Sequence, residues 1–370
     1  MTFSWSIFFV FLFLYRCFVS IIAQSSVQEL GDASLYQRGG RTVGSGFSAL
    51  LYEGQSFNVS AFRHIGTHVT ESIGTLLSIA GGGNAYLTNL GFQTIAFVGL
   101  VKLLMSVEPS IRRWLALVLI LPSFNFWTSI ASKEALVTLC ICMILANYVR
   151  MQKLQKVRII SLAIFSILLA LLKPHYFIAV AYLFGATVLA QRFRQRGVVA
   201  LSAAVMSLAM LYPIATFLDK QARVIATHFR VSDNTLTREI YFVHELDILF
   251  KAPYGMFQSF FGPTVSEAVS GTLAMMSFIE SLFLVGLLLM MILHRFWDIR
   301  AFEAIIGSVT LFWILFVTYP FGIMNPGSAV RYRSGYLVLV VFVVIFVFVR
   351  GFNEREKTTR SSMKTPALAE

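Results

Sequence analysis

The stretch GYLVLVVFVVIFVFVR, residues 335–350, consists almost entirely of valine, leucine, isoleucine and phenylalanine. Its length approaches what a helix needs to cross the hydrocarbon core of a bilayer. The whole 370-residue chain has the same character, with 57% hydrophobic residues, 13% charged residues and 35 phenylalanines. Mean hydropathy is +0.75. This composition exceeds what a water-soluble core requires and predicts an all-α membrane protein.

Similar apolar runs recur along the chain and predict a polytopic helical bundle of about ten transmembrane helices. The first run has no basic residues ahead of it and carries Arg16 in its middle, so we interpret it as an uncleaved span; a cleaved signal peptide is the alternative. Several spans lie almost back to back, which predicts tight helical hairpins. The predicted spans are 3–23, 85–106, 114–130, 133–149, 158–172, 175–190, 198–217, 272–293, 303–321 and 335–350.

The cysteines and the net charge exclude several classes of function. Cys17, Cys140 and Cys142 lie inside apolar runs, which is typical of small buried side chains rather than of a disulfide framework or a metal site. The formal net charge is +12, but the basic residues cluster in short links between the apolar runs. Orientation in the lipid accounts for such links, so nucleic acid is not a predicted partner.

The basic links fall on one side of the predicted bundle if the spans alternate in direction. By the positive-inside rule that side is the cytoplasm, which predicts two cytoplasmic termini. Residues 1–350 are predicted to form a single transmembrane domain, and residues 351–370 a disordered cytoplasmic tail. The basic links are 112–113, 150–158, 192–196, 294–300 and the tail after Arg350.

The opposite, outer face receives three longer segments, 24–84, 218–271 and 322–334, and two hairpin tips at 131–134 and 173–175. Long segments between elements usually carry function. Segment 218–271 combines many charged residues with a later apolar and aromatic stretch, which predicts an amphipathic surface helix and a re-entrant turn acting as a lid. We therefore expect the working face to be the outer one.

The first outer segment begins with Asp32, followed by Tyr36 and Arg41. Asp32 is interpreted either as a helix cap or solvated loop acid, or as a functional carboxylate. His64 and His68 are four residues apart, but the glutamate that a zinc-protease motif places between two such histidines is missing. No metal site is predicted.

The first hairpin tip carries Trp127, Ser129, Lys133 and Glu134 within the stretch PSFNFWTSIASKEALV, residues 122–137. An interfacial pair that closes a turn explains the two charges, because glutamate is favourable near a helix N-terminus. It does not explain the polar and aromatic residues that precede them. The tip is therefore a candidate site.

At the second tip, Lys173, Pro174 and His175 end one predicted helix and begin the next, since proline suits the first turn of a helix. A lysine whose amine reaches the membrane interface is the plain interpretation of Lys173. The role of His175 stays open.

The last outer loop contains Asn325, Arg331 and Arg333, immediately before the final span. Arginines on the outer side run against the positive-inside bias, and the planar guanidinium suits bidentate recognition of phosphate. We expect an anionic ligand here, with lipid head groups or an internal salt bridge as alternatives. Glu280, inside the span 272–293, is costly in lipid and is expected to face the bundle interior, where it pairs with a cation or lines a cavity.

Four motifs on the outer face together resemble a group of bacterial membrane proteins encoded in polysaccharide loci. These are the repeat-unit (O-antigen or exopolysaccharide) polymerases and the C-type fold (GT-C-like) glycosyltransferases. The chain departs from the pattern at Ile130, where glycine is expected, and at Lys173, where arginine is more typical. The motifs are Gly-Asp with a following Tyr at 31–36, Pro-Ser-x3-Trp-x-Ser-x3-Lys-Glu at 122–134, Lys-Pro-His at 173–175, and Asn-Pro-Gly-x3-Arg-Tyr-Arg at 325–333.

The resemblance implies sugar transfer on the outer leaflet of the bacterial inner membrane, from a polyprenyl-phosphate or polyprenyl-diphosphate carrier to an acceptor hydroxyl. Such a reaction needs a base near the hydroxyl and cations around the departing phosphate. Asp32, or failing it Glu134, is the implied base, and His175 assists. The implied phosphate-binding residues are Arg331, Arg333, Lys133 and Arg41, and the implied positioning residues are Tyr36, Trp127, Ser129, Lys173 and Asn325.

No cofactor is predicted, although a divalent metal is an option for a C-type transferase. Other polysaccharide assembly proteins are potential partners. A flippase or permease for lipid-linked sugars is the main alternative, and a non-enzymatic envelope scaffold is another. The absence of matching broken helices in two halves of the sequence disfavours transport.

Overall fold

The computed structural model describes residues 5–26, 32–37, 59–231, 238, 242–244, 246–295 and 301–363. Within these ranges the ordered elements are all helices, which confirms the all-α prediction. In chain order the helices are α1 (Trp5–Ser26), α2 (Asp32–Gln37), α3 (Val59–Ala80), α4 (Ala85–Ser106), α5 (Pro109–Val118), α6 (Pro122–Thr128), α7 (Lys133–Gln152), α8 (Ile159–Leu172), α9 (Pro174–Arg192), α10 (Arg196–Ala209), α11 (Leu211–Val231), α12 (Asp247–Phe250), α13 (Ala252–Phe261), α14 (Val265–Ala268), α15 (Thr272–Arg295), α16 (Ala301–Gly322) and α17 (Pro326–Met363).

Five helices in the described ranges are long and apolar enough to cross a membrane, namely α1, α4, α7, α16 and the first part of α17. Helices α10 and α11 meet at a bend of 41° and add a sixth if the pair is one span. The predicted number of about ten spans is therefore not confirmed. Helix α8 is apolar but has only 14 residues, and the apolar part of α15 is also short.

The predicted span 114–130 is broken into α5 and α6. Pro122 stands in the first turn of α6, where its missing N–H is tolerated but where it cannot continue the preceding helix. The Asn125 side chain donates to the carbonyls of Leu119, at 2.7 Å, and Leu121, at 2.8 Å. These bonds satisfy backbone groups that the break exposes, so a run of apolar composition does not form one continuous helix.

Helices α7 and α17 form the centre of the bundle. Other parts of the structure cover 78% of the membrane-length window of α7 and 89% of that of α17, against 33% for α1. Helix α7 packs against α4, α8 and α17, while α16 packs against α9, α10 and α17. The apolar part of α17, as far as Phe346, is therefore enclosed by protein.

Three helix breaks lie together at one end of the bundle, which we call the tip end. They are residues 129–132 between α6 and α7, Lys173 between α8 and α9, and residues 323–325 between α16 and α17. Because α7 and α9 run away from this end, the links 153–158 and 193–195 lie at the opposite, far end. A bond of 3.0 Å between the Gln191 and Gln152 side chains joins α9 to α7 there.

The last outer loop is shorter than predicted, because α16 reaches Gly322 and α17 begins at Pro326. Arg331 and Arg333, which we predicted in a loop, lie in the first two turns of α17. The helix continues to Met363, beyond the predicted end of the last span at residue 350.

Helix α3 lies across the tip end. A Cβ at Gly66 would be 2.8 Å from the carbonyl oxygens of both Leu171 and Leu172, so only glycine permits this approach to the end of α8. The predicted outer segment 24–84 thus contains a helix of 22 residues that packs beside Lys173.

Candidate functional site

A buried carboxylate lies at the tip end. Glu134, the second residue of α7, is 1% exposed. Its Oε1 is 3.8 Å from Lys173 Nζ and its Oε2 is 3.4 Å from Arg331 Nε. Within the described part of the chain, neither oxygen accepts a hydrogen bond. The carboxylate is therefore held by charge, with its lone pairs not occupied by donors.

Several cations lie near Glu134. Lys133 donates to Thr67 Oγ1 of α3 at 2.6 Å, and its charge acts on both Glu134 and His175. With Lys173 and Arg331, three cations stand around this carboxylate among the residues that the structure describes. A cluster of cations of this kind suits an oxyanion such as a phosphate or diphosphate.

Aromatic rings hold two of these cations. The Arg331 guanidinium carbon lies 5.5 Å from the centre of the Trp127 ring. Lys173 Nζ lies 4.3 Å from the ring centre of Tyr332 and 5.7 Å from that of Tyr176. Contact with a π face attracts and orients a cation. We call Trp127, Lys133, Glu134, Lys173 and Arg331 the Glu134 site.

His175 and Asn325 lie next to this site. The half-buried His175 ring stacks on Phe321, with ring centres 5.0 Å apart, and meets Tyr176 edge-on at 4.7 Å. Asn325 Oδ1 accepts a bond of 2.9 Å from the backbone N–H of Ser328 in the first turn of α17. Asn325 therefore fixes the start of the helix that carries Arg331.

Arg331 and Arg333 do not form the joint phosphate clamp that we predicted. Residues two positions apart on a helix are separated by about 200° around its axis. The side chains of Arg331 and Arg333 therefore leave α17 in opposite directions. Arg333 is 1% exposed and lies 3.6 Å from Glu280 Oε2. It also donates to Ser281 Oγ at 2.6 Å. For Arg333 the alternative of an internal salt bridge is correct.

Glu280 faces the interior, as predicted, and ties three helices together. It accepts a bond of 2.7 Å from the backbone N–H of Ser123 and a further bond from the Ser123 hydroxyl. Arg333 also donates to the Phe260 carbonyl at 3.1 Å. The pair of Glu280 and Arg333 thus joins α6, α15 and α17 directly behind the Glu134 site.

Arg16 holds the first hairpin tip, a role that our sequence interpretation did not assign. The fully buried guanidinium donates to Asn125 Oδ1 and to the Thr128 carbonyl, each at 2.7 Å, and to Thr128 Oγ1 at 3.1 Å. A cation at the C-terminus of α6 interacts favourably with the helix dipole. An arginine in the middle of an apolar span was the available signal.

Further hydrogen bonds fix residues 129–132, between α6 and α7. Ser132 Oγ donates to the Trp127 carbonyl at 2.7 Å and accepts from the Ala135 N–H at 3.2 Å, which caps α7. The backbone N–H of Ala131 donates to Asn89 Oδ1 of α4 at 2.8 Å. Ser129, predicted as a positioning residue, is fully buried, and its hydroxyl has no hydrogen-bond partner among the described residues.

The first-loop motif lies beside the tip. Ala33 of α2 packs in one apolar cluster with Ile130, and Trp127 packs against that cluster. Tyr36 is fully buried. Asp32 begins α2, although its side chain lies outside the described part, and Arg41 falls outside the described residues. Three of the four sequence motifs therefore meet at Glu134, and α2 brings the fourth next to Trp127.

The outer segment 218–271 is anchored to the start of α17. Arg238 donates to the Ile323 carbonyl at 3.0 Å and lies 2.5 Å from Glu267 Oε1. Burial alone raises the pKa of Glu267, but the bonds from Arg238 and the Thr264 N–H outweigh burial and leave the pKa below its ordinary value. The ionised pair holds α14 against the break that precedes Arg331.

His68 forms a pair with Glu71, its Nδ1 being 3.3 Å from Oε2. Within the ranges that the structure describes, no three His, Cys, Asp or Glu side chains gather in a group that fits a metal ion. The side chain of His64 lies outside those ranges.

Comparison of this chain with protein-family models, with curated proteins and with solved structures finds no match. The chemistry of the Glu134 site and the sequence motifs that form it are therefore the basis for assigning a function. The assignment is accordingly a proposal.

Proposed function

We propose that this chain transfers a sugar or oligosaccharide from a polyprenyl-phosphate or polyprenyl-diphosphate carrier to an acceptor hydroxyl, on the outer face of a bacterial cytoplasmic membrane, in polysaccharide assembly. The observation that carries the proposal is the Glu134 site. There a buried carboxylate, which accepts no hydrogen bond from any described residue, stands near Lys133, Lys173 and Arg331. Helices α7 and α17, which carry Glu134 and Arg331, are of membrane-spanning length, so a lipid tail can lie in the bilayer beside the bundle while its phosphate enters the site.

Binding begins with the anion. The side chains of Arg331 and Lys173 are 18% and 10% exposed, so a small part of each is accessible. The guanidinium of Arg331 presents a planar fork for two phosphate oxygens, and Lys173 supplies a compact charge. Both now face Glu134, which occupies the position of an anion until the phosphate arrives.

The chemical step then uses both the cations and the carboxylate of the Glu134 site. The acceptor oxygen forms a bond to the anomeric carbon of the donor sugar, and the bond between that carbon and the phosphate oxygen breaks. The electron pair leaves on the phosphate, where Arg331, Lys173 and Lys133 stabilise the developing charge. The hydroxyl proton passes to a carboxylate oxygen of Glu134.

Asp32 is the second candidate for the base, as the family resemblance implies. Helix α2, which it begins, lies beside Trp127 through Ala33. The pair of variants Asp32→Asn and Glu134→Gln separates the two candidates, because only the base is required for proton transfer with the donor already bound.

The orientation of the chain is part of the proposal. No acidic residue occurs between 135 and 218, and the links 150–158 and 192–196 at the far end carry seven Lys and Arg residues. The positive-inside rule places that end in the cytoplasm and the Glu134 site outside. Helix α1 ends at the tip end and α17 begins there, so both helices have their other ends on the cytoplasmic side.

Complementation of a gene deletion tests the proposal. We expect the double variant Lys173→Gln/Arg331→Gln to lose at least about 100-fold in polymer, the cost of removing electrostatic stabilisation of a transition state, while unextended lipid-linked sugar accumulates on the outer leaflet. The matched control, Arg192→Gln/Arg194→Gln, removes the same charge at the far end and is expected to make normal polymer. Normal polymer from the first variant, at normal membrane level, overturns the assignment.

Transport of lipid-linked sugars is the second candidate function. The bend of 41° between α10 and α11 favours it, since transporters commonly build their sites from broken helices. Transport predicts that the lipid-linked sugar remains on the inner leaflet in the Lys173→Gln/Arg331→Gln strain. The leaflet in which the intermediate accumulates therefore distinguishes the two functions.

A further inference from the structure

A second cationic feature lies at the far end, in the link between α7 and α8. Arg150, Lys156 and Arg158 line a cleft of about 490 Å³ together with three aliphatic side chains. The aliphatic residues are Val157, Ile159 and Ile160. The cleft thus combines a charged rim with an apolar wall.

The three cations have no acidic partner in the part of the chain that the structure describes. Across the described residues, no ion pair or side-chain hydrogen bond engages Arg150, Lys156 or Arg158, whereas Lys153 in the same link donates to the Ser106 carbonyl at 2.8 Å. The sequence between 135 and 218 contains no Asp or Glu. Three positive charges on one cleft, without an acidic partner among the described residues, attract an anionic ligand.

The end of the link, at Arg158, lies closer to the middle of the bundle than the end of α7 does. The backbone N–H of Arg158 donates to Asn147 Oδ1 at 3.1 Å, five residues before the last residue of α7, Gln152. Helix α8 has 14 residues and is therefore about 21 Å long, against roughly 30 Å for the hydrocarbon core. A helix this short brings the cations of the link to the level of lipid head groups.

The wall of the cleft faces outward. Ile159 is 75% exposed and Ile160 is 78% exposed, and both belong to the first turn of α8. Exposed aliphatic side chains next to a cationic rim match the shape of a phospholipid, with its phosphate above its acyl chains.

We propose that this cleft binds the head group of an anionic phospholipid from the surrounding bilayer. The phosphate lies between Arg150, Lys156 and Arg158, and an acyl chain runs along Ile159 and Ile160. The site is separate from the Glu134 site, and it does not depend on the chemistry proposed there.

Native mass spectrometry of the full chain in a neutral detergent tests this site. The protein is mixed with phosphatidylglycerol, with zwitterionic phosphatidylcholine or with polyprenyl phosphate. Retained lipid is counted for three forms: unsubstituted protein, Arg150→Gln/Arg158→Gln, and the equal-charge control Arg192→Gln/Arg194→Gln. We expect retention of phosphatidylglycerol over phosphatidylcholine, about 25-fold weaker binding in the first variant, and unchanged binding in the control.

Three results would overturn the proposal. Equal retention of both lipids removes the role of charge. Equal loss in the control variant shows a general surface effect rather than a site. Preferential retention of polyprenyl phosphate over phosphatidylglycerol at this cleft means that the occupant is a carrier lipid. Each result is independent of polymer synthesis, so failure here leaves the Glu134 assignment intact.

Discussion

Arg331 and Arg333 are two positions apart on α17 but face different carboxylates, which predicts different consequences when each is removed. Arg333→Ala leaves Glu280 buried without its cation, which costs about 3–5 kcal/mol. Arg331→Ala leaves Glu134 with Lys173, 3.8 Å away, so we expect a smaller loss of stability and a large loss of sugar transfer. Thermal unfolding in detergent and polymer synthesis measure the two effects.

The double variant Arg333→Ala/Glu280→Gln is the control for that comparison. It removes the unpaired charge and should recover part of the lost stability. Equal destabilisation by Arg331→Ala and Arg333→Ala would contradict the separation into a functional arginine and a structural one.

Asp247, in the outer segment, gives a prediction for pH. The bond from Lys251 and the backbone bonds from His244 and Val243 lower the pKa of Asp247 from its ordinary 3.8 to about 2. Its stabilising effect is therefore complete above about pH 4 and is lost as the pH falls toward 2. We expect Asp247→Asn to unfold at a lower temperature than the parent at pH 7, with the gap closing toward pH 3. A gap that is constant over this pH range would contradict the assignment.

At the scale of elements, the break between α5 and α6 depends on Arg16. Arg16→Met puts an unbranched apolar side chain in place of the arginine and removes three hydrogen bonds to Asn125 and Thr128. A buried acceptor that loses a charged donor costs about 1.5–3 kcal/mol. We expect a fall of about that size in the free energy of unfolding, together with reduced polymer synthesis because Trp127 and Lys133 lose their support.

Arg16→Lys serves as the matched variant, since it keeps the charge with fewer donors in a different geometry. It should lie between Arg16→Met and the parent protein in unfolding temperature. Unaltered stability of Arg16→Met would show that the tip is held by other contacts.

The sequence predicted some elements well and others poorly, for physical reasons. The bounds of α4, 85–106, agree with the prediction because Asn84 caps the helix and its apolar run has membrane length. Hydropathy did not separate α8 from a full span, since a short apolar helix has the same composition. Pro122 marks the break in 114–130, but the apolar residues on both sides of it predict one continuous span.

The residues of the candidate site were predictable from the sequence, but the directions in which their side chains point were not. The motifs identified Glu134, Lys133, Lys173 and Arg331, and the structure brings these four together. The division between Arg331 and Arg333 followed only from helical register, which a predicted loop does not have. The structure does not describe the side chain of Asp32 or any part of Arg41, so their roles remain predictions.

At the scale of the whole molecule, the orientation can be tested with single cysteines. We expect Gln155→Cys, in the far-end link, to react with a membrane-impermeant maleimide only after the membrane is opened. Ser270→Cys, next to α14 at the tip end, should react in intact cells. Cys17, Cys140 and Cys142 are replaced first, although the last two are fully buried. The reverse labelling pattern would show that the chain has the opposite orientation and that the Glu134 site faces the cytoplasm.

The most direct test of the account is sugar transfer by the purified chain in proteoliposomes, using lipid-linked oligosaccharide extracted from the deletion strain. We predict that the unsubstituted protein extends the oligosaccharide, whereas Glu134→Gln binds the donor at least as tightly but extends it at least about 100-fold more slowly. Extension by Glu134→Gln at the unsubstituted rate would contradict the role of Glu134 as base. Failure of the unsubstituted protein to extend any oligosaccharide would contradict the proposed function itself.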